Sequence, residues 1–297
     1  MRTVLYLCYG NGPEADETIY SLLSAFRLSP PGTPRLRYVV YAEYPERFDG
    51  LGVEIRPFAA GELQAWMGGS DYIHRRKTMT ILDALDRYPG AVAFVDCDTY
   101  FRRPPEALFE RIAPGRSCLH VLEAKLLESG TAVDRALSDL VKLEAFVDSA
   151  GRPIPISPNA PMWNSGVVGV HSKDVGLMRE TLHLIDQMWA RLKIHDLERE
   201  HKVHHIEQFA TGLMLGKNRL SSCRDVVFHY WPDNLRAPFR RILPDLLAES
   251  AGKPLGLRAQ GAYARRPQAD AMRKVKQGLR TGLRSLGVDV PGVSASA

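Results

Sequence analysis

Two aspartates that directly follow a short apolar segment are the residues with the clearest potential for chemistry. Asp96 and Asp98 flank Cys97, and residues 91–95 before them read AVAFV. Asp-x-Asp also occurs in plain turns, but carboxylates placed so closely at the end of a buried strand repel each other unless a cation binds them. Such a pair can share one hard cation and leave positions open for phosphate oxygens. The pattern therefore predicts a Mn²⁺ or Mg²⁺ site that neutralises a diphosphate.

The segments around this pair alternate between apolar runs and amphipathic stretches, which is typical of an α/β fold. A run of five apolar residues predicts a central strand that is covered on both faces. In a mostly parallel sheet with helices on its faces, ligands bind beyond the carboxyl ends of the strands, where Asp96 and Asp98 stand. In the first hundred residues we predict strands over 3–9, 36–41, 53–57 and 91–95, and helices over 14–28 and 71–88.

The rest of the chain is less regular. Four prolines between residues 151 and 161 predict a loop, and the segment Trp163-Asn164-Ser165-Gly166 after it leads into a strand, although a plain turn explains Asn-Ser-Gly as well. For this half we predict helices over 131–148, 175–192 and 200–215, and strands over 167–170 and 225–228.

Four stretches together resemble nucleotide-sugar-dependent glycosyltransferases of the GT-A fold, most closely glycosyltransferase family 8. The order and rough spacing of the stretches match this family across about residues 3–240. The resemblance implies a GT-A type (Rossmann-like) domain, a donor such as UDP-hexose, a divalent metal, and sugar transfer to a hydroxyl of a glycan or lipid-linked acceptor. The stretches are AVAFVDCDTYF, WNSGVVGV, EQFATGLML and VVFHYW.

Further site residues follow from the resemblance together with side-chain chemistry. His229 ends an apolar segment and is a candidate third metal ligand, although a bond to a nearby carbonyl explains it equally well. Arg76 and Lys77 precede the metal segment and are candidates for contacts with the diphosphate or a donor hydroxyl. The family has a Lys after this His, which is missing here, so Arg236 is a candidate substitute.

The sugar and the base of a donor need other partners. Glu207 and Gln208 are the candidate catalytic residues: Glu207 either takes the acceptor proton or, with Gln208, steadies a developing positive sugar. The sequence does not decide between these roles. The remaining candidates for substrate binding are Asn164, Ser165 and Gly166 for sugar hydroxyls, and Tyr9, Gly10 and Asn11 for the base.

Two other functions use the same residues. The first is a non-catalytic nucleotide- or sugar-binding protein on the same fold. The second is an aspartate-nucleophile phosphatase of the haloacid dehalogenase type. The phosphatase pattern places Thr or Val two residues after its second Asp, where this chain has Tyr100, and it needs a later acidic pair, whereas no Asp-Asp occurs here.

The net charge of +5 is concentrated in the C-terminal segment. Residues 252–297 carry nine basic and two acidic side chains, net +7, which leaves net −2 in the rest of the chain. An acidic body gives no basic face for nucleic acid, so we expect no nucleic-acid partner. We therefore predict a GT-A domain over 1–250 and a basic amphipathic helical tail over 251–297 that suits an anionic membrane surface.

The expected location is the cytoplasm, with peripheral attachment to the inner membrane face as the role of the tail. The first residues, MRTVLYLCYGNG, lack the pattern of a secretory signal. The four widely spaced cysteines predict small buried side chains in a reducing compartment rather than a disulfide framework.

Overall fold

The structure, a computed structural model, describes residues 1–126, 132–157, 159–194 and 205–264. Strands and helices follow one another along these residues. They are β1 (Arg2–Cys8), α1 (Glu14–Phe26), β2 (Leu36–Ala42), β3 (Glu54–Pro57), α2 (Glu62–Ala65), α3 (Arg75–Arg87), β4 (Ala91–Val95), β5 (Thr99–Phe101), α4 (Glu106–Phe109), β6 (Arg116–Lys125), α5 (Ala132–Leu143), β7 (Phe146–Val147), β8 (Pro153–Ile154), β9 (Pro161–His171), α6 (Val175–Ile194), α7 (His205–Leu215), β10 (Arg219–Ser222), β11 (Val227–His229), α8 (Asp233–Ser250) and α9 (Leu255–Ala264).

Seven of these strands form the central sheet, in the order β10-β6-β9-β4-β1-β2-β3. β1 runs parallel to β2 and β4, β2 to β3, and β10 to β6. Only β9 is antiparallel to its two neighbours in this sheet, β4 and β6. The predicted class, an α/β fold with a mostly parallel sheet flanked by helices, is therefore confirmed.

The sheet is covered on both faces because its strands are apolar on both faces. Along β1, Val4 and Tyr6 face the core cluster that α1 and α8 also line, whereas Leu5 faces the cluster lined by α3. This alternation is the period of two that a strand imposes on its side chains. All five residues of β4 are buried, as predicted for a central strand.

Some elements differ from the prediction, and two differences place functional side chains. Asn164-Ser165-Gly166 is not a turn before a strand but lies inside β9, which is eleven residues long. β11 pairs antiparallel with the unpredicted strand β5, in a register that sets His229 opposite Thr99. Within the predicted loop, Pro153–Ile154 pairs antiparallel with Phe146–Val147, where a helix was predicted.

The chain continues to pack on the body beyond residue 250. α9 lies against α1, and its Ala259 and Ala262 are 1% and 2% exposed within the same core cluster as α1. The rest of the predicted basic tail, residues 265–297, lies outside the described residues. Among the residues that the structure describes, no helix combines the length and the apolar character needed to cross a membrane.

Candidate metal centre and the polar network around it

Asp96, Asp98 and His229 come together at the carboxyl end of the sheet. Each offers one ligand atom, and these three atoms lie within 4.8 Å of one another. The two aspartates follow β4 directly, while His229 is more than a hundred residues further along the chain. The ladder between β5 and β11 brings them together, because Thr99, opposite His229, is the residue after Asp98.

Asp98 is buried and bound on both of its carboxylate oxygens. Its Oδ1 lies 3.1 Å from Nε2 of His229, and its Oδ2 accepts from the Arg236 guanidinium at 2.9 Å. Burial by itself would raise the pKa of Asp98, but the ring of His229 in its positively charged form and the Arg236 guanidinium outweigh it and hold the pKa well below its usual range. Asp98 therefore stays ionised, as a metal ligand must.

The hydrogen bonds of Asn164 determine which nitrogen of His229 carries a proton. Oδ1 of Asn164 accepts from the backbone N–H of Gly166 at 2.9 Å, and Nδ1 of His229 lies 2.9 Å from the same oxygen. Because this oxygen can only accept, Nδ1 is the protonated nitrogen. In the neutral ring the lone pair on Nε2 then faces Oδ1 of Asp98, and a cation between these two acceptors satisfies both. The donor set of two carboxylates and one imidazole fits Mn²⁺ better than Mg²⁺, which takes mainly oxygen ligands.

Asp96 is the most exposed of the three candidate ligands, with 28% of its side chain accessible. Its Oδ2 accepts from Nζ of Lys77 at 3.1 Å. The same ammonium donates to the carbonyl oxygen and to Oγ of Ser165, at 2.6 and 3.1 Å. Burial lowers the pKa of Lys77, but the negative charges of Asp96 and Glu207 raise it by more. The pKa is therefore above its ordinary value, and the ammonium stays charged. Lys77 therefore reaches a carboxylate of the candidate metal centre.

Glu207 lies on the other side of Lys77, and its side chain is 4% exposed. Its Oε2 is 3.7 Å from Nζ of Lys77 and accepts from Oγ of Ser165 at 2.8 Å, while its Oε1 accepts from Oγ1 of Thr211 at 3.0 Å. Burial is the main cause that raises the pKa of Glu207; Lys77 and Ser165 oppose it. Its backbone N–H donates to the hydroxyl of Tyr72 at 2.9 Å, which fixes the first turn of α7.

The candidate residues for the base lie at the end of β1. The Arg76 guanidinium covers the ring of Tyr9 at 4.9 Å from its centroid and donates to the carbonyl of Leu63 at 3.0 Å. Burial raises the pKa of Tyr9, and the nearby charge of Asp96 adds to the increase. Gly10 has φ +78°, a left-handed conformation that favours glycine, and Asn11 is exposed. The structure thus brings Arg76 to Tyr9, whereas Lys77 reaches Asp96.

Three residues of this network were not predicted in their observed roles. Glu123 on β6 accepts from Nδ2 of Asn164 and from Nε2 of Gln208, each at 2.9 Å. Glu17 on α1 is fully buried and binds Arg236. Arg236 was a candidate for contact with the diphosphate, but in the structure its guanidinium binds Asp98. An acidic residue within the mainly apolar stretch SCLHVLEA was the sequence signal for Glu123. Glu17 looks like an ordinary acidic residue of a helix N-terminus.

No protein-family model matches the chain, and the search of curated proteins found no match either.

Proposed function

We propose that this chain is a metal-dependent glycosyltransferase of GT-A type that moves a sugar from a nucleotide-diphosphate donor to a hydroxyl acceptor. One observation carries the proposal: two aspartates after a central strand and a histidine from a distant part of the chain present ligand atoms within 4.8 Å at the ligand-binding end of an α/β sheet. The resemblance of the four sequence stretches supports the same function.

In this proposal Asp96, Asp98 and His229 hold Mn²⁺ or Mg²⁺. Bound there, the cation neutralises the diphosphate and makes it a better leaving group. Asp96 is the ligand most open to solvent, so the donor approaches from its side. Tyr9 and Asn11, at the end of β1, are the proposed contacts of the base, a UDP uridine in the first instance.

Glu207 and Gln208 are the proposed residues for the sugar, with Asn164 and Ser165 beside them. Both carboxylate oxygens of Glu207 accept hydrogen bonds from protein side chains, and Lys77 lies close by. A carboxylate held in this way is pre-organised, which supports electrostatic stabilisation of a positive charge on the sugar over removal of a proton. The pKa of Glu207, which burial raises, is the feature that favours the role of a base instead.

The first experiment is a donor-hydrolysis assay of the full chain against a panel of sugar nucleotides, with and without Mn²⁺. We expect Mn²⁺-dependent release of the nucleotide from at least one donor. Asp98→Asn should weaken Mn²⁺-dependent nucleotide binding by more than about 100-fold while the protein stays folded. Asp86→Asn is the matched control, because Asp86 is exposed and has only a surface contact with Arg179 at 3.6 Å.

A non-catalytic binding protein is the second candidate, and one observation favours it. Lys77 and Arg236 already bind Asp96 and Asp98, so protein cations balance part of the charge that a metal would neutralise. Nucleotide binding without turnover for any donor, and without a metal requirement, would support this candidate and contradict the transferase.

The phosphatase alternative gains no support from the site. It needs the second aspartate as a proton donor, but the positively charged form of His229 and the Arg236 guanidinium keep the pKa of Asp98 low and therefore the side chain ionised.

A further inference from the structure

Glu123 is bound to both side-chain amides of the candidate site. It lies on β6, the neighbour of β9, and each of its carboxylate oxygens accepts from one amide nitrogen at 2.9 Å. Oε1 accepts from Asn164, which contacts His229, and Oε2 accepts from Gln208, the proposed contact of the sugar. The half-buried carboxylate is itself outside the set of candidate metal ligands.

A carboxylate that faces an amide determines how that amide is turned. An Asn or Gln side chain has a donating and an accepting end of nearly equal shape, so rotation by half a turn exchanges the two at little steric cost. An ionised carboxylate only accepts, so the amide facing it must present its NH₂ group. Glu123 thereby directs the oxygens of Asn164 and Gln208 away from itself, and for Asn164 the backbone N–H of Gly166 favours the same orientation.

For Asn164, this orientation decides the state of His229. The oxygen turned away from Glu123 accepts from the backbone N–H of Gly166 and from Nδ1 of His229. A proton on Nδ1 leaves the lone pair on Nε2, the nitrogen that faces Asp98 at 3.1 Å. With the amide reversed, Nδ1 would meet an NH₂ group, and the proton would be driven to Nε2, where it blocks a metal.

We propose that Glu123 is a positioning residue. It holds the amides of Asn164 and Gln208 so that His229 offers its Nε2 lone pair to a cation shared with Asp98, while the amide oxygen of Gln208 is turned away from Glu123. The inference rests on the proposed function, since it assigns the network to metal binding and donor positioning.

The test uses Glu123→Gln in the full chain. The new amide has one accepting end, so it can satisfy Asn164 or Gln208 but places an NH₂ group against the other. We expect the preference of the neutral His229 ring for the Nδ1 proton to weaken, measured by ¹⁵N NMR of the labelled imidazole at alkaline pH. Affinity for Mn²⁺, measured by electron paramagnetic resonance, should fall about 10- to 100-fold.

A matched control and a rescue variant separate positioning from charge and stability. Glu110→Gln removes an equal charge from an exposed residue near the start of β6 and should change neither readout. Asn164→Asp alone places a carboxylate next to that of Glu123. The two negative charges repel each other, which should displace the side chain at position 164 and weaken Mn²⁺ binding. The double variant Asn164→Asp with Glu123→Gln exchanges the amide and the carboxylate between the two positions. The amide at position 123 then donates to the carboxylate at position 164, and its oxygen accepts from Gln208. This double variant should recover the Nδ1 proton and most of the Mn²⁺ affinity.

The outcomes distinguish this inference from the proposed function. If the wild-type chain binds no Mn²⁺ but Glu123→Gln still moves the His229 proton and the double variant restores it, the positioning role stands and the metal-dependent transferase fails. If the wild-type chain binds Mn²⁺ and a folded Glu123→Gln variant keeps both the affinity and the Nδ1 proton, the positioning role is overturned.

Discussion

At the scale of single residues, Gly166 shows how close the backbone of β9 comes to the candidate metal ligand. A Cβ atom at this position would lie 2.2 Å from Nδ1 of His229 and 2.9 Å from Oδ1 of Asn164. Neither neighbour is free to move away, because the two are hydrogen-bonded to each other. Glycine is therefore needed here for lack of space, not for a special backbone angle.

Gly166→Ala should displace the His229 ring and destroy the metal site. We expect Mn²⁺ affinity to fall by more than about 100-fold and the free energy of unfolding to fall by about 1–3 kcal/mol, the usual cost of overpacking. Calorimetric titration with Mn²⁺ and urea unfolding measure the two effects.

Gly176→Ala is the control, since a Cβ there meets no atom within 4 Å. It should leave Mn²⁺ affinity unchanged and shift the free energy of unfolding by less than about 1 kcal/mol. Unaltered Mn²⁺ binding in Gly166→Ala would show that His229 is not a ligand.

At the scale of elements, ion pairs attach α8 to α1 next to the candidate metal site. Glu17 is fully buried on α1 and accepts from Arg236 at 2.9 and 2.7 Å. It also accepts from Arg240, one helical turn further along α8, at 3.2 and 3.1 Å. Arg236 extends this network to Asp98, so the start of α8 is joined to the site.

Glu17→Gln should loosen α8, because Arg236 and Arg240 lose the buried carboxylate that they share. We expect a loss of about 3 kcal/mol in the free energy of unfolding and faster amide hydrogen exchange in Asp233–Ser250 than in α3. Glu14→Gln removes the same charge from α1 but affects one partly exposed contact with Arg240, so it should cost less than about 1 kcal/mol. Equal losses in the two variants would contradict a specific role of Glu17.

At the scale of the whole molecule, the boundary of the folded body decides where a truncation is tolerated. Ala259 and Ala262 of α9 are buried against the body, and Leu255 packs beside them. Ending the chain after Ser250 removes this helix and exposes the apolar surface that it covers. Ending it after Ala264 keeps every described contact.

We expect the chain cut after Ser250 to lose about 2–3 kcal/mol of stability, estimated from the few methyl and methylene groups that become exposed. The chain cut after Ala264 should keep the Tm of the full chain and its donor hydrolysis. Differential scanning calorimetry of the three proteins measures this difference. An identical Tm for the two truncated chains would show that α9 adds nothing to the stability of the body.

The predicted basic tail makes its own prediction at this scale. Residues 265–297 carry seven basic and two acidic side chains, net +5, so the full chain should co-sediment with vesicles that contain anionic lipid, and the chain cut after Ala264 should not. Each basic residue near such a surface contributes about 1 kcal/mol, so added salt should release the full chain. Neutral vesicles are the control, and equal sedimentation of both chains would remove the membrane role.

Local sequence was sufficient for much of the sheet and of its helices. β4 was predicted at its observed bounds, and β2 and α1 to within one or two residues, because a covered strand is apolar throughout and an amphipathic helix repeats every three or four residues. Asp96 and Asp98 were identifiable for the same reason: they end a strand whose burial is evident from its composition. β5, β6 and β10 were not predicted, since their stretches mix polar and apolar residues.

By itself, then, the sequence determined the α/β class, the edge of the sheet where chemistry is expected, and the side chains that are suited to it. Only the tertiary structure decided which of these side chains meet. The approach of His229 to Asp98 depends on the register between β5 and β11, and the roles of Glu123, Lys77 and Glu17 depend on neighbours that are 19 to 223 positions away. The physical reason is that hydrogen bonds and charge pairs act over a few ångströms, whereas periodicity along the chain records only whether a side chain faces the core.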